Sequence, residues 1–313
     1  MPRDRIAEIT SVKGRASVPL AMSLLVNITL GELESVWHQN KAATSESLVP
    51  TSRWTTFSVV RTVTALEVFT RAWTATLIDW GTPYAENAAA LDAVKKARFD
   101  FALSRAIQGK QLSIGEIIAH EISTNTLEDV AGVLSTLIGQ DLFGLLENAY
   151  DRFEVEVEGK PLVPIIQDVS KVRADLARLF QTRHILVHEL PLKEPVTAAE
   201  ARGFVNAAQL FVNATDAALK GMTFGEYPLT QAAMTEQAWN QLDGAERDLD
   251  EFIRTRGLTD DENWKSLRTA FEHYAEALSR WGSGSGSTTP MWQAMKKRAL
   301  LGEFLDQMKR ELG

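Results

Sequence analysis

Apolar residues along this 313-residue chain recur at spacings of three and four, the period of helices that bury one face. The clearest run is Trp54 to Trp80, where Leu66, Phe69, Trp73 and Leu77 fall on one stripe and predict a long core helix. Ala16 to Leu30 is also apolar, but Asn27 interrupts it and it is too short to span a bilayer. Glu32, Glu34 and Trp37 continue its helical pattern, so it reads as a buried helix rather than a leader. Ser113 with Glu116 forms a capping box that starts another helix, and Thr126-Leu127-Glu128-Asp129 starts one that runs through Val130, Val133, Leu134 and Leu137 to Gly139. Phe143 to Tyr150 adds a short helix. A longer one begins near Ile165, with Val169, Val172, Leu176, Leu179 and Phe180 on its apolar side. Pro191 and Pro195 stop it, and Val196 to Glu200 opens the next, through Phe204, Ala208, Phe211 and Val212. The last, Met295 to Leu312, sets Leu301, Phe304, Leu305 and Met308 on one face. Phe153 to Glu158 alternates with strand period, but a lone strand has no partner here, and the segment reads as a charged loop or hairpin edge. The pattern predicts an all-α protein.

Turn-forming residues divide that pattern. Ala42 to Ser47 with Pro50, and later Gly221, Gly225 and Pro228, separate an N-terminal helical extension (1–48), a main domain (49–221) and a small helical domain (228–313). The length suits two cores. The absence of cysteine removes disulfides, thiolate metal sites and cysteine nucleophiles, and fits a reducing cytoplasm with no membrane partner. Acidic residues outnumber basic ones, 41 to 33, for a net charge of −8, so contact with nucleic acid has to come from a local patch rather than bulk charge. The stretch Lys95, Lys96, Arg98, Arg105 and Lys110, against the single Asp100, is the candidate phosphate-facing surface; a merely solvated helix face is the alternative.

Chemistry concentrates in Gln181-Thr182-Arg183-His184-Ile185-Leu186-Val187-His188-Glu189, which holds two of the five histidines beside an arginine. A guanidinium keeps its charge near neutrality while an imidazole gains or loses a proton, the two abilities that phosphodiester cleavage needs. Five residues turn a helix by about 140°, so Arg183 and His188 converge only if Arg183 bends back along the helix or if two copies share one cleft. His184 and His188, four apart, share a face and could grip a metal, but no third ligand stands at useful spacing, and no metal or other cofactor is expected. In the bland reading Arg183 and Glu189 form ion pairs and the histidines line an interface. Arg178, in the series Arg173, Arg178, Arg183, joins the lysines as a candidate RNA contact. Glu67 and Arg71 have the spacing of a surface ion pair, and His120 reads as structural.

The run Arg183-x4-His188 resembles the Arg-x(4–6)-His signature of the HEPN superfamily, all-helical proteins many of which are metal-independent ribonucleases. The commonest form has Asn or Asp after the arginine, where this chain has His184. Thr64 to Phe69 and Ser113 to Glu121 resemble further family segments, so the likeness covers about residues 50–220. It implies an endoribonuclease that leaves 2′,3′-cyclic phosphate ends, with Arg183 and His188 catalytic, His184 and Glu67 supporting, RNA as partner, a homodimer that shares its cleft, and a setting in bacterial defence or a toxin system. A non-catalytic module that binds nucleotide, RNA or protein is the alternative. Leu229 to Ala238, then Trp264, Leu267, Arg268, Ala270, Tyr274 and Gly284 to Met291, resemble the helical domain of the lysozyme inhibitor LprI, whose cysteine positions correspond here to Gln237, Glu272 and Lys296. Without those cysteines the resemblance implies a partner-recognition surface rather than lysozyme inhibition. In a third reading this domain is the functional part and the first a dimerising platform.

Overall fold

A computed structural model describes residues 5–13, 26–35, 51–97, 100–189, 196–225, 228–280 and 289–312. All regular structure in them is helical, and no strand occurs among the described residues, as the periodicity predicts. In chain order the helices are α1 (Arg5–Lys13), α2 (26–35), α3 (Thr51–Trp80), α4 (Tyr84–Asn87), α5 (Asp92–Lys96), α6 (Phe101–Gln108), α7 (Ile114–Glu121), α8 (Leu127–Ile138), α9 (Leu142–Leu146), α10 (Val169–His188), α11 (Ala198–Phe224), α12 (Gln231–Thr255), α13 (Glu262–Arg280) and α14 (Thr289–Leu312). They fall into two compact units, one of residues 1–151 and 160–223, the other of 152–159 and 224–313.

The first unit is built on α3, whose Leu66, Phe69, Trp73 and Leu77 are at most 1% exposed. Helices α4, α7, α8 and α10 pack directly on it. A helix that is buried on most sides usually avoids hydroxyls, yet α3 carries buried Ser58, Thr62 and Thr70. Each turns its hydroxyl back to donate to a carbonyl three or four residues earlier: Thr55, Ser58 and Leu66 respectively, at 2.7–2.9 Å. No donor is left without a partner by those three. The crossing with α7 is close because Gly115 sits there. A Cβ at that position would lie 2.3 Å from the Ala75 carbonyl oxygen, and the Gly115 N–H donates to Asp79 Oδ1 at 2.9 Å.

Val26, Leu30 and Leu33 of α2 join the same core as α3 and α11, so this part of the expected 1–48 extension belongs to the first unit. The remainder of the Ala16 to Leu30 reading lies outside the described residues. Gly139 ends α8 in the left-handed conformation, φ 73°, which glycine adopts without strain. Phe153–Val157 is neither loop nor hairpin but one π-helical turn. Arg152 clamps it through Nε to Glu156 Oε1 at 2.7 Å, a pairing four residues apart that a helical turn supplies and an extended strand does not.

The second unit has its own core. Ala238, Leu242, Leu249 and Ile253 of α12 meet Trp264 of α13 and Leu301, Leu305 and Met308 of α14, the face read from the sequence. Phe271 and Phe304 stack with centroids 4.3 Å apart. The Gly-Ser stretch at 282–287 lies outside the described residues.

Candidate functional site

Helix α10 begins at Asp168, whose side chain accepts from the Lys171 N–H at 2.8 Å. Its apolar positions Val172, Leu176, Leu179 and Phe180 are buried, which fixes how the helix is rolled and sends the opposite positions outward. At about 100° per residue, Ala177, Gln181, His184 and His188 fall within about 60° of one another, a narrow stripe. Gln181, His184 and His188 are all exposed. The imidazoles of His184 and His188 sit one turn apart with centroids 4.9 Å from each other and planes tilted by 50°.

Arg183 lies off that stripe, about 60° beyond Phe180 by the same arithmetic. Arg183, His184 and His188 all line one pocket of about 570 Å³, together with Ala177, Phe180 and Gln181 of α10 and with Asn125, Thr126, Leu127 and Glu128. One chain therefore brings all three residues to the lining of a single pocket.

The second wall is the entry to α8, and it is held firmly. Thr126 Oγ1 accepts from the Asp129 N–H at 3.1 Å while Asp129 Oδ2 accepts from the Thr126 N–H at 3.2 Å, a reciprocal capping box. The same carboxylate oxygen also accepts from the Asn125 N–H at 3.1 Å and from Ser123 Oγ at 2.7 Å. Four hydrogen bonds at one helix entry do not shift easily, so this wall is preorganised rather than draped.

Behind Arg183 stands Glu67 of α3. Arg183 Nη2 is 3.6 Å from Glu67 Oε1, with both side chains largely covered, at 24% and 17% exposure. That distance is an ion pair but exceeds a good charge-assisted hydrogen bond. Burial pushes the Glu67 carboxyl above its ordinary range, and Arg183, then Arg71, pull it back part of the way. Glu67 is thus not the plain surface partner of Arg71: helix packing, which local spacing does not report, turns it toward Arg183.

The remaining candidates go elsewhere. Lys95 and Lys96 are exposed on the short α5, Lys95 Nζ 3.5 Å from Asp92, and neither lines the pocket. Arg98 lies outside the described residues. Arg178 Nη2 donates to Glu200 Oε1 of α11 at 2.6 Å, again away from the pocket. His120 Nε2 is 3.3 Å from Glu8 Oε2 on α1, a structural contact. Among the described residues no group of three or more His, Asp or Glu side chains is placed to hold a metal. Asn125 and Glu128 are the pocket residues that sequence reasoning passed over. Their segment announced itself as a helix start, but nothing local said which helix it would face.

Chemically, the arrangement presents a fixed positive charge and two titratable rings on one wall, and hydrogen-bond acceptors on the other. No protein-family model, curated protein or solved structure matches the chain. No described helix is long and apolar enough to cross a membrane.

Proposed function

We propose that the first unit is a metal-independent endoribonuclease of HEPN type, acting in the pocket between α10 and the entry of α8. The observation that carries this reading is the shared opening of Arg183, His184 and His188 into one pocket of about 570 Å³, a size within the roughly 300–1,000 Å³ of small-molecule sites. In the proposed reaction His188 takes the proton of a ribose 2′-hydroxyl as that oxygen attacks phosphorus. The bond from phosphorus to the 5′-oxygen breaks, and the departing oxygen takes up a proton from water. Arg183 holds the phosphate oxygens through the charge that gathers on them. The products are a 2′,3′-cyclic phosphate and a free 5′-hydroxyl. His184, its ring 4.9 Å from that of His188, supports its orientation, and Glu67 fixes the guanidinium from behind.

RNA is the partner this reading names. One chain already supplies the arginine and both histidines, so homodimerisation in this proposal presents two pockets to one RNA rather than completing either. The second unit is proposed as a surface for recognising another protein.

The test is cleavage of labelled single-stranded RNA in the presence of a chelator, with the end chemistry of the products identified. His188→Ala is expected to lose about a hundredfold or more, and Arg183→Ala about a hundredfold. Equal cleavage by the native protein and both variants would remove these residues from the site.

A further inference from the structure

The two walls of the pocket differ in kind. On α10 the polar groups are cationic or titratable. On the α8 side they are Asn125, Thr126 and Glu128, none of which can carry positive charge. Two adjacent acids stand in the first turn of α8, and they are used differently. Asp129 is turned into the loop, its Oδ2 accepting from Ser123, Asn125 and Thr126. Glu128 is exposed, lines the pocket, and has no hydrogen bond or ion pair to any described residue. Asn125 spends its amide N–H on Ser123 Oγ at 3.2 Å, which leaves its carbonyl oxygen available beside Glu128.

A free carboxylate repels a phosphate and attracts N–H donors. A nucleotide in this pocket is thereby oriented, with phosphate toward Arg183 and base toward α8. A carboxylate only accepts hydrogen bonds and is satisfied by two parallel donors. Guanine is the RNA base whose pairing edge offers two adjacent donors, N1–H and the 2-amino group. Adenine and cytosine present one amino group beside an acceptor, and uracil one N–H between two acceptors. Leu127 and Phe180, largely buried but facing the pocket, supply apolar surface for the ring. We infer that Glu128 makes this pocket selective for guanosine, with its carboxylate bridging N1–H and the 2-amino group while Arg183 holds the attached phosphate.

The inference rests on the nucleotide reading of the same pocket, and binding separates the two. Calorimetric titration of the full chain with the 3′-monophosphates of guanosine, adenosine, cytidine and uridine is expected to favour guanosine by about tenfold to a hundredfold, the range of one good bidentate base contact. In Glu128→Gln, which preserves shape but replaces one acceptor by a donor, that ratio is expected to fall close to one, with an unchanged circular dichroism spectrum. Equal affinity for all four in the native protein, no binding of any, or a preference that survives Glu128→Gln overturns the assignment. RNA cleavage without base preference overturns it too and leaves the ribonuclease reading standing. Selective guanosine binding without RNA cleavage keeps it and removes the ribonuclease. Tighter binding of guanosine 3′-monophosphate than of guanosine 5′-triphosphate assigns the subsite to an RNA chain, and the reverse order to a free nucleotide; either order keeps the base.

Discussion

Arg183 has two tasks that pull against each other, since the charge offered to a ligand also neutralises Glu67. Burial raises the Glu67 carboxyl above its ordinary 4.5, which means that ionising it costs the folded state free energy. That cost is absent below the unfolded value and complete above the folded one, so this group's contribution to stability falls as pH rises. Arg183→Ala removes the larger of the two attractions that limit the cost. The variant should therefore lose stability most at neutral pH, by about 1–2 kcal/mol, and progressively less as pH falls toward 4.5. Urea unfolding at several pH values checks this, and in the double variant Arg183→Ala with Glu67→Gln the pH dependence of the loss should disappear. A loss that is the same at every pH would mean the ion pair does not couple to stability.

At the scale of elements, the sequence is informative wherever one helix reports its own buried stripe. Leu66, Phe69, Trp73 and Leu77 were legible as a core face because a long helix with that spacing has one way to hide them, and all four are buried. The stripe on α10 was legible for the same reason, and with it the outward placement of His184 and His188. What sits opposite a stripe is a different kind of fact. Nothing near Thr126 announces that the start of α8 will face α10, and nothing near Glu67 announces Arg183, because both follow from how helices distant in sequence pack. The 153–158 segment, read as a charged loop or hairpin edge, is instead a helical turn held by Arg152 and Glu156, a pairing that the alternation does not report. Gly115 is the sharpest constraint between elements. Its missing Cβ lets α7 lie against α3, where the obstructing atom would be backbone that does not give way. Gly115→Ala should cost about 3 kcal/mol, the upper end for overpacking, seen as a lowered unfolding midpoint in denaturant. A midpoint that does not move would show that the two helices separate freely.

Across the whole molecule the charge balance is −8, and many cations of the first unit are already matched with acids: Lys171 with Asp175, Arg178 with Glu200, Arg202 with Glu34, Lys220 with Asp216. Among the residues lining the pocket, Arg183 is the one arginine or lysine. For a single strand each phosphate contact adds about −0.7 to the slope of log affinity against log salt, so one or two contacts near Arg183 predict a slope between about −0.7 and −1.4. Fluorescence anisotropy with a short labelled RNA measures it, and a slope steeper than about −3 would mean a basic track beyond this pocket. The ion pair behind the pocket also connects ligand binding to the solvent. An anion seated on Arg183 competes for the guanidinium that keeps Glu67 ionised, so the carboxyl captures a hydrogen ion from the buffer as the ligand arrives. Just above the ordinary 4.5, where the raised carboxyl titrates, the heat of binding should accordingly vary with the ionisation enthalpy of the buffer chosen. At about pH 8 it should not, and with Glu67→Gln the dependence should vanish throughout.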